Sequence, residues 1–116
     1  MNAYDKGNEL ARALKESDEF KALGVARRSL DTDTVARDMV KDFLRKQMEM
    51  QLEVMSGKAD AREKEAALQK LAELLAMNTR ARDYISAHFR FQQVMTDIYK
   101  MIGDAVGEGL DPFAEK

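Results

Sequence analysis

Hydrophobic positions in the last third of the chain, between Asn78 and Gly107, recur with alternating steps of four and three residues. This spacing puts them on one face of a helix, which must leave water. We expect the helix to run from about Thr79 to about Val106, roughly 40 Å at ~1.5 Å per residue. A compact core of this chain length is narrower, so another element must cover the face. The stripe consists of Tyr84, His88, Phe91, Met95, Ile98, Ile102 and Ala105.

The same spacing predicts a third helix, from about Thr34 to Ser56, as the partner of the last one. Its first stripe steps by four and three, like the seam of a coiled coil. The members of this seam are Ala36, Val40, Phe43, Gln47, Met50 and Val54. A second stripe lies beside it and comprises Leu44, Met48, Leu52 and Met55. Two adjacent apolar stripes on one helix indicate two packing partners.

Residues suited to helix ends separate the predicted helices. Ser17 is a candidate N-cap for the second helix, and Thr32 or Asp33 for the third, because these side chains accept hydrogen bonds from unpaired backbone N–H groups. Gly57 suits a left-handed C-cap. Asn78-Thr79 can end the fourth helix and cap the last. The sequence therefore predicts five helices with short breaks.

The fourth helix is predicted to start near Asp60, where Glu63 would complete a capping box. Its apolar stripe consists of Leu68, Leu71 and Leu75. We predict an all-α fold in which the third and last helices form a long antiparallel pair and dimerisation completes the bundle. Residues 2–107 are expected to form one helical domain and residues 108–116 a flexible tail.

The composition agrees with this class and narrows the chemistry. Of the 116 residues, 45% are hydrophobic and 34% charged, with a single proline, as in all-helical soluble proteins. The net charge of −2 supplies no global field that would draw the chain to nucleic acid or anionic lipid. No apolar run approaches the ~18 residues of a membrane span, and the N-terminus lacks a signal-peptide pattern. We expect a cytoplasmic protein.

No motif in the chain indicates a metal, a cofactor or an enzyme. Cysteine is absent, which excludes disulfides, thiolate nucleophiles and cysteine-ligated clusters. His88 is the only histidine, and Ile85 three residues earlier excludes the Glu-x-x-His motif of di-metal bundles. We therefore interpret His88 as a neutral interface histidine. The chain also lacks a glycine-rich phosphate loop and a Ser/His/Asp set.

A short basic strip on the third helix offers one alternative function. Arg37, Lys41 and Arg45 recur every four residues and could follow phosphates. Asp38 and Asp42 are interleaved with them, which favours Asp38–Lys41 and Asp42–Lys46 ion pairs on a solvated face. The strip therefore supports a weak RNA-binding accessory protein only as the second hypothesis.

The leading hypothesis is a non-catalytic adaptor that acts through helix-mediated association, beginning with a homodimer. A two-fold interface is the commonest way to bury a surplus apolar stripe. The competing interpretation is a compact monomer whose first two helices cover the second stripe. The predicted interface comprises Leu44, Met48, Leu52 and Met55 of the third helix and Leu68, Leu71 and Leu75 of the fourth.

Three groups of residues together resemble the YlbF/YmcA/YheA family of small bacterial helical proteins, and its YheA-like branch in particular. The opening group is Tyr4, Ala11, Ala13-Leu14-Lys15-Glu16-Ser17, Phe20 and Leu23. The middle group is Phe43-x-x-x-Gln47-x-Glu49-x-Gln51 followed by Ser56-Gly57-Lys58. The last group is Asn78, Tyr84-Ile85, Asp97-Ile98 and Ile102. The similarity extends from Tyr4 to about Val106, and its specificity lies in the joint order and spacing.

This resemblance implies an all-α, dimeric protein without catalytic residues. Some members of the family belong to a complex that modulates RNA processing by an endoribonuclease and so influences sporulation, competence and biofilm formation. Those relatives are associated with an iron–sulfur cluster held through cysteines. Because this chain has no cysteine, cluster binding does not carry over to it.

Overall fold

The computed structural model describes residues 2–57, 62–110 and 112. It contains five α-helices, and no strand occurs in these ranges. The prediction of an all-α fold with five helices is therefore confirmed. The helices are α1 (Ala3–Lys15), α2 (Asp18–Asp31), α3 (Thr34–Met55), α4 (Arg62–Ala76) and α5 (Thr79–Leu110).

Capping side chains fix the starts of three helices. The side-chain oxygens of Ser17, Asp33 and Asn78 each accept a hydrogen bond, at 3.1–3.2 Å, from the backbone N–H three residues later. Of the two candidates before α3, Asp33 is thus the N-cap. Gly57 follows α3 with φ +75°, the left-handed conformation expected there. The predicted cap at Asp60 lies outside the described residues.

The helices form two arms that share one end. The first arm is the antiparallel hairpin of α3 and α4, in which Glu53 and Lys64 form an ion pair near the turn. The second arm is the antiparallel pair of α2 and α5. Phe20 of α2 stacks against Phe91 of α5 with ring centroids 5.2 Å apart. Among the five described helices, the exposed helix α1 contacts only α2.

The buried core lies where the two arms meet, a region that we call the junction. Four helices supply its side chains, and each is almost fully removed from water. They are Leu30 of α2, Ala36, Val40 and Phe43 of α3, Leu75 of α4 and Ala81 of α5. Burial of this apolar surface is the main tertiary stabilisation of the chain.

The predicted antiparallel pairing of α3 with α5 is wrong. An ion pair of 3.7 Å between Asp33 and Arg80 places the N-terminal ends of α3 and α5 side by side. Further along, Gln47 of α3 and His88 of α5 line one cleft, so the two helices run in the same direction. The reason is α4, which returns to the junction before α5 begins. Two consecutive reversals restore the original direction.

The chain is flat and open. Its Cα atoms span 48 × 40 × 15 Å, with a radius of gyration of 18.1 Å. A compact domain of this length has a radius of about 13 Å. The accessible surface is 9274 Å², roughly 2,900 Å² more than the ~6,400 Å² of a compact monomer of 13.2 kDa. Much apolar surface therefore has no partner within the chain.

The last helix extends beyond its predicted end. It continues past Val106 to Leu110 and includes Gly103 and Gly107 as helical residues. The predicted division of the chain at residues 107 and 108 therefore falls inside α5 and stays a prediction. Residues 111 and 113–116 of the predicted tail lie outside the described residues.

Candidate interaction surfaces

An apolar stripe runs along the outer half of α3. Met48, Leu52 and Met55 are 62%, 59% and 83% exposed, and we call them the α3 stripe. Leu44, the fourth predicted interface residue of this helix, is half-buried and packs against the junction. Contiguous exposed apolar side chains of this size are typical of protein interaction sites. The structure thus leaves three of the four α3 positions accessible to a partner.

The three α4 leucines of the predicted interface lie elsewhere. Leu75 is buried in the junction, with 4% exposure. Leu68 and Leu71 are half-buried and pack against the same core. The apolar surface of these three leucines is thus largely buried within the chain itself. The extension of the homodimer interface onto α4 stays a prediction.

The apolar stripes predicted for α3 and α5 are divided between the two arms. Val40, Phe43 and Tyr84 meet at the junction. Phe91 instead packs against Phe20 of α2. Farther from the junction, Met50 of α3 and Met95 and Ile98 of α5 are half-buried, and Ile102 is half-exposed. The outer part of α5 therefore carries apolar side chains that α3 does not cover.

A cleft of about 350 Å³ separates the two arms beyond the junction. Its polar side chains are His88 and three glutamines, and its apolar ones include Phe89. The ring of His88 lies 5.8 Å from that of Tyr84 and 5.5 Å from that of Phe89, measured between centroids. Partial burial lowers the pKa of His88 below its ordinary value, which favours the neutral form. The glutamines are Gln47, Gln51 and Gln92.

A second depression, the hairpin groove, lies between α3 and α4 and has a volume of about 500 Å³. Its apolar side chains are Phe43, Met50, Leu68, Ala72 and Ala76. Its polar side chains are Glu65, Gln69 and Glu73, spaced four residues apart along α4. Sequence reasoning missed this groove, although the four-residue spacing of its polar residues was a visible signal.

Ion pairs interrupt the basic strip of α3. Arg45 and Lys46 both contact Asp42, at 2.8 and 3.1 Å, and Arg37 lies 3.9 Å from Asp31. The hydrogen bond from Lys46 is the main cause that lowers the pKa of Asp42. The predicted Asp42–Lys46 pair is confirmed. The predicted Asp38–Lys41 pair does not form within 4.0 Å, and Asp42 takes Arg45 as its second partner instead.

The described part of the chain shows no metal site and no membrane span. No group of three or more His, Asp or Glu side chains within it could hold a metal ion. None of its helices is both long and apolar enough to cross a bilayer. The accessible features are instead an apolar helix stripe, a neutral cleft and an acidic-rimmed groove.

These features define a small all-helical protein whose accessible apolar surface lies on helix faces. The chain belongs to the family described as "Control of competence regulator ComK, YlbF/YmcA", whose model matches residues 3–107. The family membership predicted from the sequence is therefore confirmed.

Several relatives match over nearly their whole length. A UPF0342 protein of Symbiobacterium thermophilum is 40% identical over 112 residues, which cover 97% of this chain and 99% of the relative. A UPF0342 protein of Caldicellulosiruptor saccharolyticus is 34% identical, with 90% and 88% covered. A UPF0342 protein of Desulfitobacterium hafniense is also 34% identical, with 91% and 86% covered. The names of these relatives state no activity.

Proposed function

We propose that this protein is a non-catalytic regulatory adaptor of the cytoplasm. Its exposed helix faces pack against helices of a second copy of the chain, which gives a homodimer, and the homodimer then binds a protein partner. The observation that carries this proposal is the α3 stripe, Met48, Leu52 and Met55, exposed on a chain with a large surplus of surface. The family description, which refers to control of a competence regulator, supports a regulatory role.

The surface surplus supports the homodimer. Homodimer interfaces commonly bury ~2,000–5,000 Å² in total, or ~1,000–2,500 Å² per chain. The surplus of roughly 2,900 Å² over a compact monomer lies at or above the upper end of this range. Stacking two flat chains through an isologous contact would cover the α3 stripe of each one. The flexible thioether side chains of Met48 and Met55 suit such an adaptable interface.

RNA binding is the weaker candidate function because most basic side chains of the α3 strip already form ion pairs. Arg37, Arg45 and Lys46 each have an acidic neighbour within 4.0 Å, and the whole chain carries a net charge of −2. Phosphate binding would have to displace these carboxylates, which repel the phosphates as well. Helix-mediated protein association meets no such opposition on the α3 stripe.

Affinity capture of the tagged protein from its own host, followed by mass spectrometry, tests the adaptor role. Leu52→Glu places a charge in the α3 stripe. Val35→Glu makes the same change at a 67% exposed position at the start of α3 and serves as the control. We expect the wild type and Val35→Glu to capture the host's untagged copy of the chain together with other proteins, and Leu52→Glu to lose the untagged copy. Identical partner sets for all three proteins would contradict the proposal.

A further inference from the structure

We propose that the hairpin groove docks an amphipathic helix of a protein partner, and that the flanks of this helix carry lysine or arginine. This proposal rests on the adaptor function, because it assigns the partner a surface separate from the α3 stripe. It commits to a basic helix from another protein as the occupant of the groove.

The length and depth of the groove fit a helix. From Glu65 to Ala76 the groove follows 12 residues of α4, roughly 18 Å at ~1.5 Å per residue. That length accommodates about three turns, enough for apolar anchors at spacings of three and four residues. Ala72 and Ala76 lie one turn apart, and their small side chains let a third helix approach α4 closely. A docked helix would convert the α3–α4 hairpin into a three-helix bundle.

The charge of the lining selects a basic partner. Glu65 and Glu73 line the groove, and no lysine or arginine does. Neither carboxylate forms an ion pair with another described residue. Lys64, next to Glu65 in the chain, is paired with Glu53, and Lys70, one turn before Glu73, forms no ion pair with another described residue. An approaching helix with basic flanks would therefore meet unpaired carboxylates beside an apolar floor.

A second copy of this chain complements the groove less well. Its exposed helix is α1, in which Lys6 is already paired with Glu9 at 3.1 Å. Asp5 adds another acid in the same helix, whereas its last turn carries two basic residues. Both signs of charge thus occur along α1, and its attraction to Glu65 and Glu73 would be weaker than that of a helix with basic residues alone on its flanks. The surplus of roughly 2,900 Å² also exceeds the ~1,000–2,500 Å² per chain of a homodimer interface, which leaves area for an additional partner.

Fluorescence anisotropy with two labelled peptides of about 18 residues tests this proposal. Both peptides carry leucines at helical spacings of three and four. One has lysine and arginine on its flanks, and the other has glutamate at the same positions. We expect the full-length protein to bind the basic peptide and not the acidic one, and the affinity to fall with added salt. Equal binding of the two peptides, or binding of neither, would overturn the proposal.

Charge-reversal and steric variants of the protein show where the basic peptide binds. Glu65→Lys combined with Glu73→Lys should weaken binding of the basic peptide by about tenfold or more. Glu63→Lys combined with Glu108→Lys makes the same change in charge outside the groove and should leave binding unchanged. Ala76→Trp, at an exposed end of the groove, should block binding without changing any charge. Full binding by the groove variants would place the peptide elsewhere and refute the assignment.

Sedimentation of the same variants separates this proposal from the dimer. We expect Glu65→Lys with Glu73→Lys to leave the oligomeric mass unchanged, and Met48→Glu to lower the mass while preserving peptide binding. A lower mass for the groove variant would show that a second copy occupies the groove, which overturns the proposal. Loss of peptide binding with Met48→Glu would also overturn it, because the two surfaces would then not be separate.

Discussion

The junction and the far ends of the arms are built from the same helices and similar residues, yet their burial differs greatly. At the junction, Leu30 and Leu75 are almost completely removed from water. At the ends, Met55 of α3 and Leu110 of α5 are mostly exposed. A periodic apolar stripe therefore predicts that a helix has an apolar face. It does not predict whether the same chain covers that face.

The direction of the helices explains this difference. At the junction, α3 and α5 lie close together, with Asp33 and Arg80 in contact. Away from the junction the two arms diverge. There α3 pairs with α4, and α5 pairs with α2, so the outer faces of the arms remain uncovered. Because most helical stability in proteins comes from tertiary packing, the arm ends should be the least stable parts of the isolated chain. Association would stabilise them most.

The largest expected effect contrasts two adjacent leucines of α4. Leu75 is 4% exposed and Leu74 is 55% exposed. Leu75→Ala should lower the free energy of unfolding by ~2–5 kcal/mol, because it leaves a cavity in the junction. Leu74→Ala should cost less than about 1 kcal/mol. Denaturant unfolding at one protein concentration measures both, and equal losses would contradict the position of the core.

Two glycine substitutions should give smaller effects of opposite sign. Gly57, at the tip of the first arm, has φ +75°, so Gly57→Ala should destabilise the chain by ~1–2 kcal/mol. Gly7 lies within α1 with open space around it, so Gly7→Ala should stabilise that helix by ~0.5–1 kcal/mol. Thermal unfolding compares the two variants. A stabilising Gly57→Ala would show that the backbone at Gly57 differs from this structure.

The smallest effect concerns pH and the cleft between the arms. Partial burial lowers the pKa of His88 in the folded state, so the unfolded chain takes up this proton first as the pH falls. Stability should therefore decline as the pH drops below about 6.5, the ordinary pKa of histidine, and level off below the folded-state pKa. His88→Gln should remove this contribution. Denaturant unfolding between pH 7.5 and about 5.5 checks this expectation, and identical slopes for both proteins would contradict it.

Local structure was predictable from the sequence because it depends on neighbouring residues. The capping roles of Ser17 and Asn78, the left-handed Gly57 and the number of helices all follow from short-range chemistry. The choice between Thr32 and Asp33 remained open because both side chains can accept the same hydrogen bond. The extension of α5 to Leu110 was not predicted because glycine, present at 103, 107 and 109, is unfavourable in a helix interior.

The arrangement of the helices was less predictable because periodicity identifies a buried face without naming its partner. The stripe of α5 was assigned to α3, whereas Phe91 packs against Phe20 of the shorter helix α2. The stripe of α4 was assigned partly to a second chain, whereas Leu75 enters the core of its own chain. The hairpin groove depends on how α3 and α4 cross, which the sequence pattern does not encode directly.

The proposed homodimer covers the α3 stripe with a second copy of the chain. Sedimentation equilibrium at tens of micromolar protein tests it most directly. We expect a species of twice 13.2 kDa for the wild type. We expect a monomer for Met48→Glu, because the change would bury an unpaired charge in the interface. A wild-type species of 13.2 kDa, or a dimer that Met48→Glu does not affect, would contradict the claim.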